Sequence, residues 1–184
     1  MSDTTPRRSA LRRELRQEIV IDATPDAVWR TLTATADYSW NPFIHRVDGP
    51  LAVGAKLEVE IEPPTSRPMK FKPTVLEIAE QHRLRWLGRF LMPGLLDGEH
   101  TFELEPLSGG RTRFVQTERF SGILVGIFRS TLDKTERGFT DMNRALKVRA
   151  EATDSIASVR MAAGRNLGDE QRSGDRGAER RDRA

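Results

Sequence analysis

The chain has no cysteine. That excludes disulfides, thiolate metal sites and a cysteine nucleophile, and it carries no information about compartment. Histidine is scarce too: His45, His82 and His100 stand apart, without the paired His or Cys spacing that a zinc site needs. No metal is expected. Long apolar runs are missing as well, since the longest, Phe120 to Phe128, is far too short to cross a bilayer. Arg7-Arg8 leads into Leu11-Arg12-Arg13-Glu14 rather than an apolar segment, so no secretory signal is read. The expectation is a soluble cytoplasmic protein without membrane insertion. No internal repeat is visible. Gly109-Gly110 reads as a hairpin turn rather than a phosphate-cradling loop, and no cofactor is expected.

The folded part also lacks net charge. Residues 1–14 carry four Arg against Asp3 and Glu14, and residues 165–184 carry six Arg against five acids. Those ends account for the whole formal charge of +3, so the middle of the chain sums to zero. A nucleic-acid module more often carries its basic stripe on the fold itself, so no nucleic-acid partner is expected. The 184 residues suit one domain with a substantial core and some tail. We read 1–14 as a basic flexible segment, 15–162 as the domain, and 163–184 as a disordered charged tail, polar and almost free of large apolar residues.

What is present is a hairpin. Gly98 to Gly122 alternates so that His100, Phe102 and Leu104 share one face, and Phe114, Gln116, Glu118 and Phe120 share another. A three-residue Ser108-Gly109-Gly110 loop pairs Leu107 with Arg111, because glycine tolerates the positive φ that such loops need. Counting back, Glu105 faces Arg113 and Glu99 faces Arg119 on the outside. On the inside Leu104 meets Phe114, Phe102 meets Gln116, and His100 meets Glu118. A two-residue Gly-Gly loop would set His100 against Arg119 and break the matching of faces. A His and a Glu facing each other on an apolar sheet face point to a lined cavity.

The rest of the chain surrounds this hairpin. Leu15 to Ile21 alternates weakly as a first strand. Thr24-Pro25-Asp26 starts a helix, with Thr as N-cap, Pro in the first turn and Asp near the positive end of the dipole, and it ends near Thr35. Asp37 to Phe43 reads as a short second helix and turn closed by Pro42. Ile44 to Val47 is a short strand, and Lys56 to Glu62 alternates strictly with Leu57, Val59 and Ile61 inward. Met69 to Ala79 reads as one long strand bulged near Pro73. Arg83 to Phe90 then pairs back on it, with Ile78 opposite Leu84, Leu76 opposite Trp86 and Glu77 opposite Arg85. The final element is a helix with Leu132, Phe139, Met142, Leu146 and Ala150 on one stripe, continuing through Ile156 and Val159 to about Met161. Gly138 inside it costs roughly 1 kcal/mol against Ala; close packing or a bend beside a cavity accounts for it. An antiparallel meander must cover its apolar face, and this helix is the element long enough to do so. Space left between them is the natural pocket.

This order and several motifs resemble the START-like, helix-grip superfamily, which includes polyketide cyclases/aromatases, lipid-transfer domains and plant pathogenesis-related ligand binders. The residues that carry the likeness are ATPDAVW after the first strand, WNPF at 40–43, LRWLG at 84–88, GEHTFELEP at 98–106, GGRTRFVQTERFSG at 109–122 and FTDMNRALKVRAE at 139–151. They span about residues 15–155 and look like the bacterial polyketide cyclase/dehydrase and lipid transport branch. The resemblance implies an α+β helix-grip fold: a curved antiparallel sheet wrapped around a long C-terminal helix, with two short helices after the first strand. It implies a cavity between sheet and helix, without specifying chemistry.

The leading polar pair is His100 and Glu118. Burial in an apolar cavity raises a carboxyl pKa, whereas a neighbouring imidazolium lowers it. The pair can share a proton and act as general acid and base on an enolisable polyketide, or it can bond to itself and orient a ligand. No nucleophile or third orienting group accompanies it, so orientation ranks ahead of catalysis. Trp40, Asn41 and Phe43 sit beside a helix-breaking proline, as binding residues or as a hydrophobic plug. Trp86 and Phe102 face the same interior, Gln116 is an orienting amide, and Phe139 and Met142 form the other wall or simple core. The expected function is binding of a small hydrophobic or aromatic, lipid- or polyketide-like molecule. The alternative is a cyclase/aromatase-like enzyme using Glu118 and His100. An interaction module acting through the arginine-rich ends ranks last. A monomer or homodimer is expected.

Overall fold

The computed structural model describes residues 12–179 except 66, 91 and 128. The N-terminal segment 1–11 and residues 180–184 lie outside the described residues. Chain order gives β1 (Arg12–Ile21), α1 (Pro25–Thr33), β2 (Ile44–Asp48), β3 (Glu58–Ile61), β4 (Met69–Phe71), β5 (Thr74–Ala79), β6 (Arg83–Phe90), β7 (Leu96–Leu107), β8 (Arg111–Ser121) and α2 (Arg129–Glu179). Five strands form one antiparallel sheet in the order β1-β8-β7-β6-β5, and β2-β3-β4 form a second. The inner face of the larger sheet packs on α2, whose buried side carries Leu132, Phe139, Met142, Leu146 and Ala150. This is the expected α+β helix-grip architecture.

Local chemistry accounts for each boundary. Thr24 caps α1 by accepting from the Ala27 N–H, and Pro25 stands in the first turn where its missing donor leaves nothing unpaired. The β7–β8 register is the one that the Ser-Gly-Gly turn dictates, with Leu107 opposite Arg111 and His100 opposite Glu118. Both turn glycines hold positive φ, 75° at Gly109 and 69° at Gly110. Of the two outer charge pairs, Arg113–Glu105 closes at 3.1 Å. In the other, Arg119 reaches across to Glu14 on β1 at 2.8 Å, while Glu99 is taken by Arg85 on β6 at 3.2 Å. Central strands have neighbours on both sides, and long side chains choose between them.

Several expectations are corrected. β1 begins at Arg12, three residues before Leu15, because it pairs with β8 from Arg12 opposite Ser121. Residues 35–43 form turns rather than a second short helix. Asn41 Oδ1 accepts from the backbone N–H of both Phe43 and Ile44, at 2.9 Å each, and Pro42 cannot donate. The long strand from Met69 to Ala79 is two strands in different sheets, separated at Pro73. The bulge falls instead between Val75 and Glu77, so Trp86 pairs with Val75 rather than Leu76; Ile78–Leu84 and Glu77–Arg85 stand as expected. Finally, Ile156 and Val159 are exposed and lie off the buried stripe. α2 leaves the sheet after Ala150, its last buried residue among those described, and its backbone stays helical to Glu179, past residue 163 where the charged tail was read to begin.

Candidate functional site

On the inner face of β7 and β8, bulky pairs fill one end: Leu104 opposite Phe114 and Phe102 opposite Gln116, all buried. Next comes His100 opposite Glu118, and beyond it the side chains stop. Gly98 lies opposite Phe120 on β8 and opposite Gly88 on β6. A Cβ on Gly98 would stand 2.7 Å from Glu118 Oε1 and 3.3 Å from the Phe120 ring. One on Gly88 would stand 3.4 Å from the Phe71 ring. The two glycines therefore leave room for neighbouring side chains to lie across the sheet, and for a cavity of about 550 Å³ above it.

The walls come from every layer. β4 gives Met69 and Phe71, β6 gives Trp86, β7 gives Leu96 and His100, β8 gives Glu118 and Phe120, and α2 gives Leu132 and Thr135. Phe43, Ile44 and Ile61 close the side under the small sheet. Phe43 reaches this position because α2 has no side chain at Gly138, where a Cβ would fall 2.2 Å from the Phe43 ring. Gly138 is thus a close-packing position, against Phe43 in the turn before β2 rather than against the sheet.

His100 is 5% exposed and surrounded by rings, with centroids at 4.3 Å for Phe102, 5.0 Å for Phe139 and 5.5 Å for Trp86. Its Nε2 lies 3.0 Å from the Gln116 amide nitrogen, which also donates to Met142 Sδ at 3.6 Å. With the amide oriented this way the imidazole accepts at Nε2 and carries its proton on Nδ1. Nδ1 is 3.7 Å from Glu118 Oε2, too far for a hydrogen bond. Burial pushes His100 down to about 3 and Glu118 up to about 8. At neutral pH both are therefore uncharged, an imidazole beside a protonated carboxylic acid. Two uncharged donors face an apolar space without using each other, and a ligand oxygen can take both.

Of the sequence-named residues, Phe43, Trp86, His100 and Glu118 line the cavity. Phe102, Gln116, Phe139 and Met142 are fully buried behind them, where they hold the His100 ring. Trp40 packs on the Tyr38 ring at 5.4 Å, away from the wall. Asn41 is buried in its turn, with Oδ1 spent on backbone donors. The sequence reading did not name Phe71, Gly88, Gly98, Phe120, Leu132 or Thr135. For Gly98 and Phe120 a signal was present, because strand parity sets both beside His100 and Glu118.

The family described as polyketide cyclase/dehydrase and lipid transport matches residues 12–151. No curated protein sequence matches the chain. Among solved structures, the Zhui aromatase/cyclase from a Streptomyces species has a TM-score of 0.63 at 16% identity, covering 76% of this chain and 94% of that one. A Thermus thermophilus protein, TTHA0849, has a TM-score of 0.61 at 18% identity, covering 76% and 98%. Ara h 8.0201 has a TM-score of 0.56 at 13% identity, covering 77% and 99%. At such identities the likeness shows a shared fold.

Proposed function

Because the chain belongs to the polyketide cyclase/dehydrase and lipid transport family, we propose that it binds a small, largely apolar molecule between the sheet and α2, with a ligand oxygen held by Glu118 and His100. The observation that carries this reading is the cavity of about 550 Å³, mostly apolar apart from Lys70, Arg89 and Thr135 in its lining, with the uncharged His100–Glu118 pair set in its wall. Such a volume takes a molecule the size of a few fused rings or a medium acyl chain. An apolar body gains from burial, and a carbonyl or hydroxyl gains hydrogen bonds that the pair does not make internally. Native mass spectrometry of the purified chain, followed by thermal melting against a panel of apolar carbonyl compounds and phenols, tests it. A bound compound or a saturable rise in Tm is the expected result. No retained mass and no stabilisation across the panel would count against it.

A second reading has a specific support. Glu118 holds a proton with a pKa of about 8, close to working pH, and it opens on the cavity beside the neutral His100 ring, whose Nδ1–H is free to donate to a substrate oxygen. That is the condition for general acid–base catalysis on an enolisable polyketide in a cyclase/aromatase-like reaction. Under this reading Glu118→Gln abolishes turnover of a poly-β-ketone while ligand binding stays within about tenfold. Turnover that survives the substitution returns the pair to an orienting role.

A further inference from the structure

The mouth of the cavity is bordered by three segments. Residues 63–71 carry the wall residues Met69 and Phe71; residues 89–97 lead into Leu96; residues 121–134 join Phe120 to Leu132. The second and third are zipped together, with Ile123 N–H donating to Gly94 O at 3.2 Å and Leu124 N–H donating to Leu95 O at 3.0 Å. Gly122 makes the approach possible, since a Cβ there would stand 2.4 Å from Leu95 O. The third is tied to the first by Lys134 Nζ, which donates to Thr65 O at 3.3 Å.

This rim exposes large apolar side chains. Met69 is 39% exposed, Met92 59%, Ile123 62% and Ile127 75%. Among the residues whose side chains are described, the same segments carry Arg67, Lys70, Arg89 and Lys134 against Asp97 and Asp133, and Lys70 also lies 3.1 Å from Glu60. Both acids have protein partners: Asp97 accepts from the Gly94 N–H, and Asp133 is paired with Arg13. The fold as a whole is neutral, whereas these three segments carry more cations than acids beside their exposed apolar side chains.

We infer that the rim of the cavity docks on the surface of an anionic lipid bilayer, with Met92, Ile123 and Ile127 at the depth of the headgroups and the basic residues on lipid phosphates. Apolar tips flanked by Lys and Arg are the chemistry of interfacial binding. An acidic protein partner would satisfy the cations but leave four apolar side chains without a matching surface. No helix among the described residues is long and apolar enough to cross a membrane, so the contact is peripheral. Docked this way, the cavity opens onto the bilayer, and an apolar ligand enters without crossing water.

Vesicle co-sedimentation of the full chain at low salt tests the inference. Binding to phosphatidylcholine vesicles containing phosphatidylglycerol, absent with phosphatidylcholine alone and weakened by salt, is expected. Arg89→Gln lowers the affinity about fivefold, and Met92→Asp combined with Ile127→Asp lowers it by more than tenfold. Thermal melts of the variants match wild type, because the substituted side chains are in solvent. The result that overturns the inference is no binding to the anionic vesicles, or binding that survives Met92→Asp/Ile127→Asp and vanishes when Arg7, Arg8, Arg180 and Arg181 are changed to Gln. Retention by an acidic protein matrix without vesicle binding overturns it as well. None of these readouts depends on a cavity ligand, so they stand or fall apart from the proposed function.

Discussion

Glu118 keeps its proton in the folded chain, and that has a consequence for stability. Between the carboxyl's ordinary value near 4.5 and the folded value of about 8, the unfolded chain has released a proton that the folded chain still holds. Stability contributed by this group therefore falls as pH rises across that interval. His100 acts in the opposite sense between about 3 and its ordinary 6.5, where the unfolded chain takes up a proton that the buried ring refuses. The two oppose each other from pH 4.5 to 6.5, and above 6.5 only the Glu118 loss remains. From pH 6.5 to 8 the wild type should lose on the order of 1–2 kcal/mol, and Glu118→Gln should not. Urea melts of both chains across this range check it. Parallel curves would mean that Glu118 is solvated and ionised.

Elements decide where these residues stand. The β7–β8 hairpin was legible from the sequence because turn, alternation and charge pairs each restrict the register and agree; His100 opposite Glu118 followed from counting. The split at Pro73 was not legible. A proline between two apolar stretches fits a bulge as well as a change of sheet, and only the pairing partners, β3 for β4 and β6 for β5, distinguish them. Gly138 is the clearest case of an element yielding to the site. Ala at this position would gain roughly 1 kcal/mol of helix propensity, yet its Cβ would stand 2.2 Å from Phe43. Phe43 is buried, packs edge-on against Phe139 at 5.6 Å and lines the cavity, so a shift of its ring changes the cavity wall. Gly138→Ala should thus destabilise the chain by roughly 1–3 kcal/mol, the usual cost of overpacking, and weaken binding of any cavity ligand. Calorimetric Tm and ligand titration check both. A more stable variant with unchanged binding would show that Phe43 has somewhere else to go.

At the scale of the whole molecule, the sheet holds α2 along only part of its length. The stripe Leu132, Phe139, Met142, Leu146 and Ala150 is readable as a 3.6-residue period, and Ile156 and Val159, six and nine residues past Ala150, turn to other faces of the helix. What ends it is the extent of the sheet. Among the described residues, the last ties between α2 and the strands lie near the end of β1: Lys147 donates to Val20 O at 2.9 Å, Glu151 accepts from the Asp22 N–H at 2.8 Å, and Asp154 accepts from the Thr24 hydroxyl at 2.9 Å. Beyond Asp154, β1 has already turned into α1, and among the described residues no strand covers Ile156. Ending the chain after Arg160 should therefore leave Tm within about 2 °C of the full length, since Ala150 is the last buried residue among those described and changes away from buried features stay within about 0.5 kcal/mol. Ending it after Asn143 removes buried Leu146 and Ala150 together with all three ties, a loss of more than about 5 kcal/mol, and should abolish cooperative unfolding. Thermal melts of the two truncated chains decide the point. A large drop in Tm on removing residues 161–184 would mean that the far end of α2 is held by something other than this sheet.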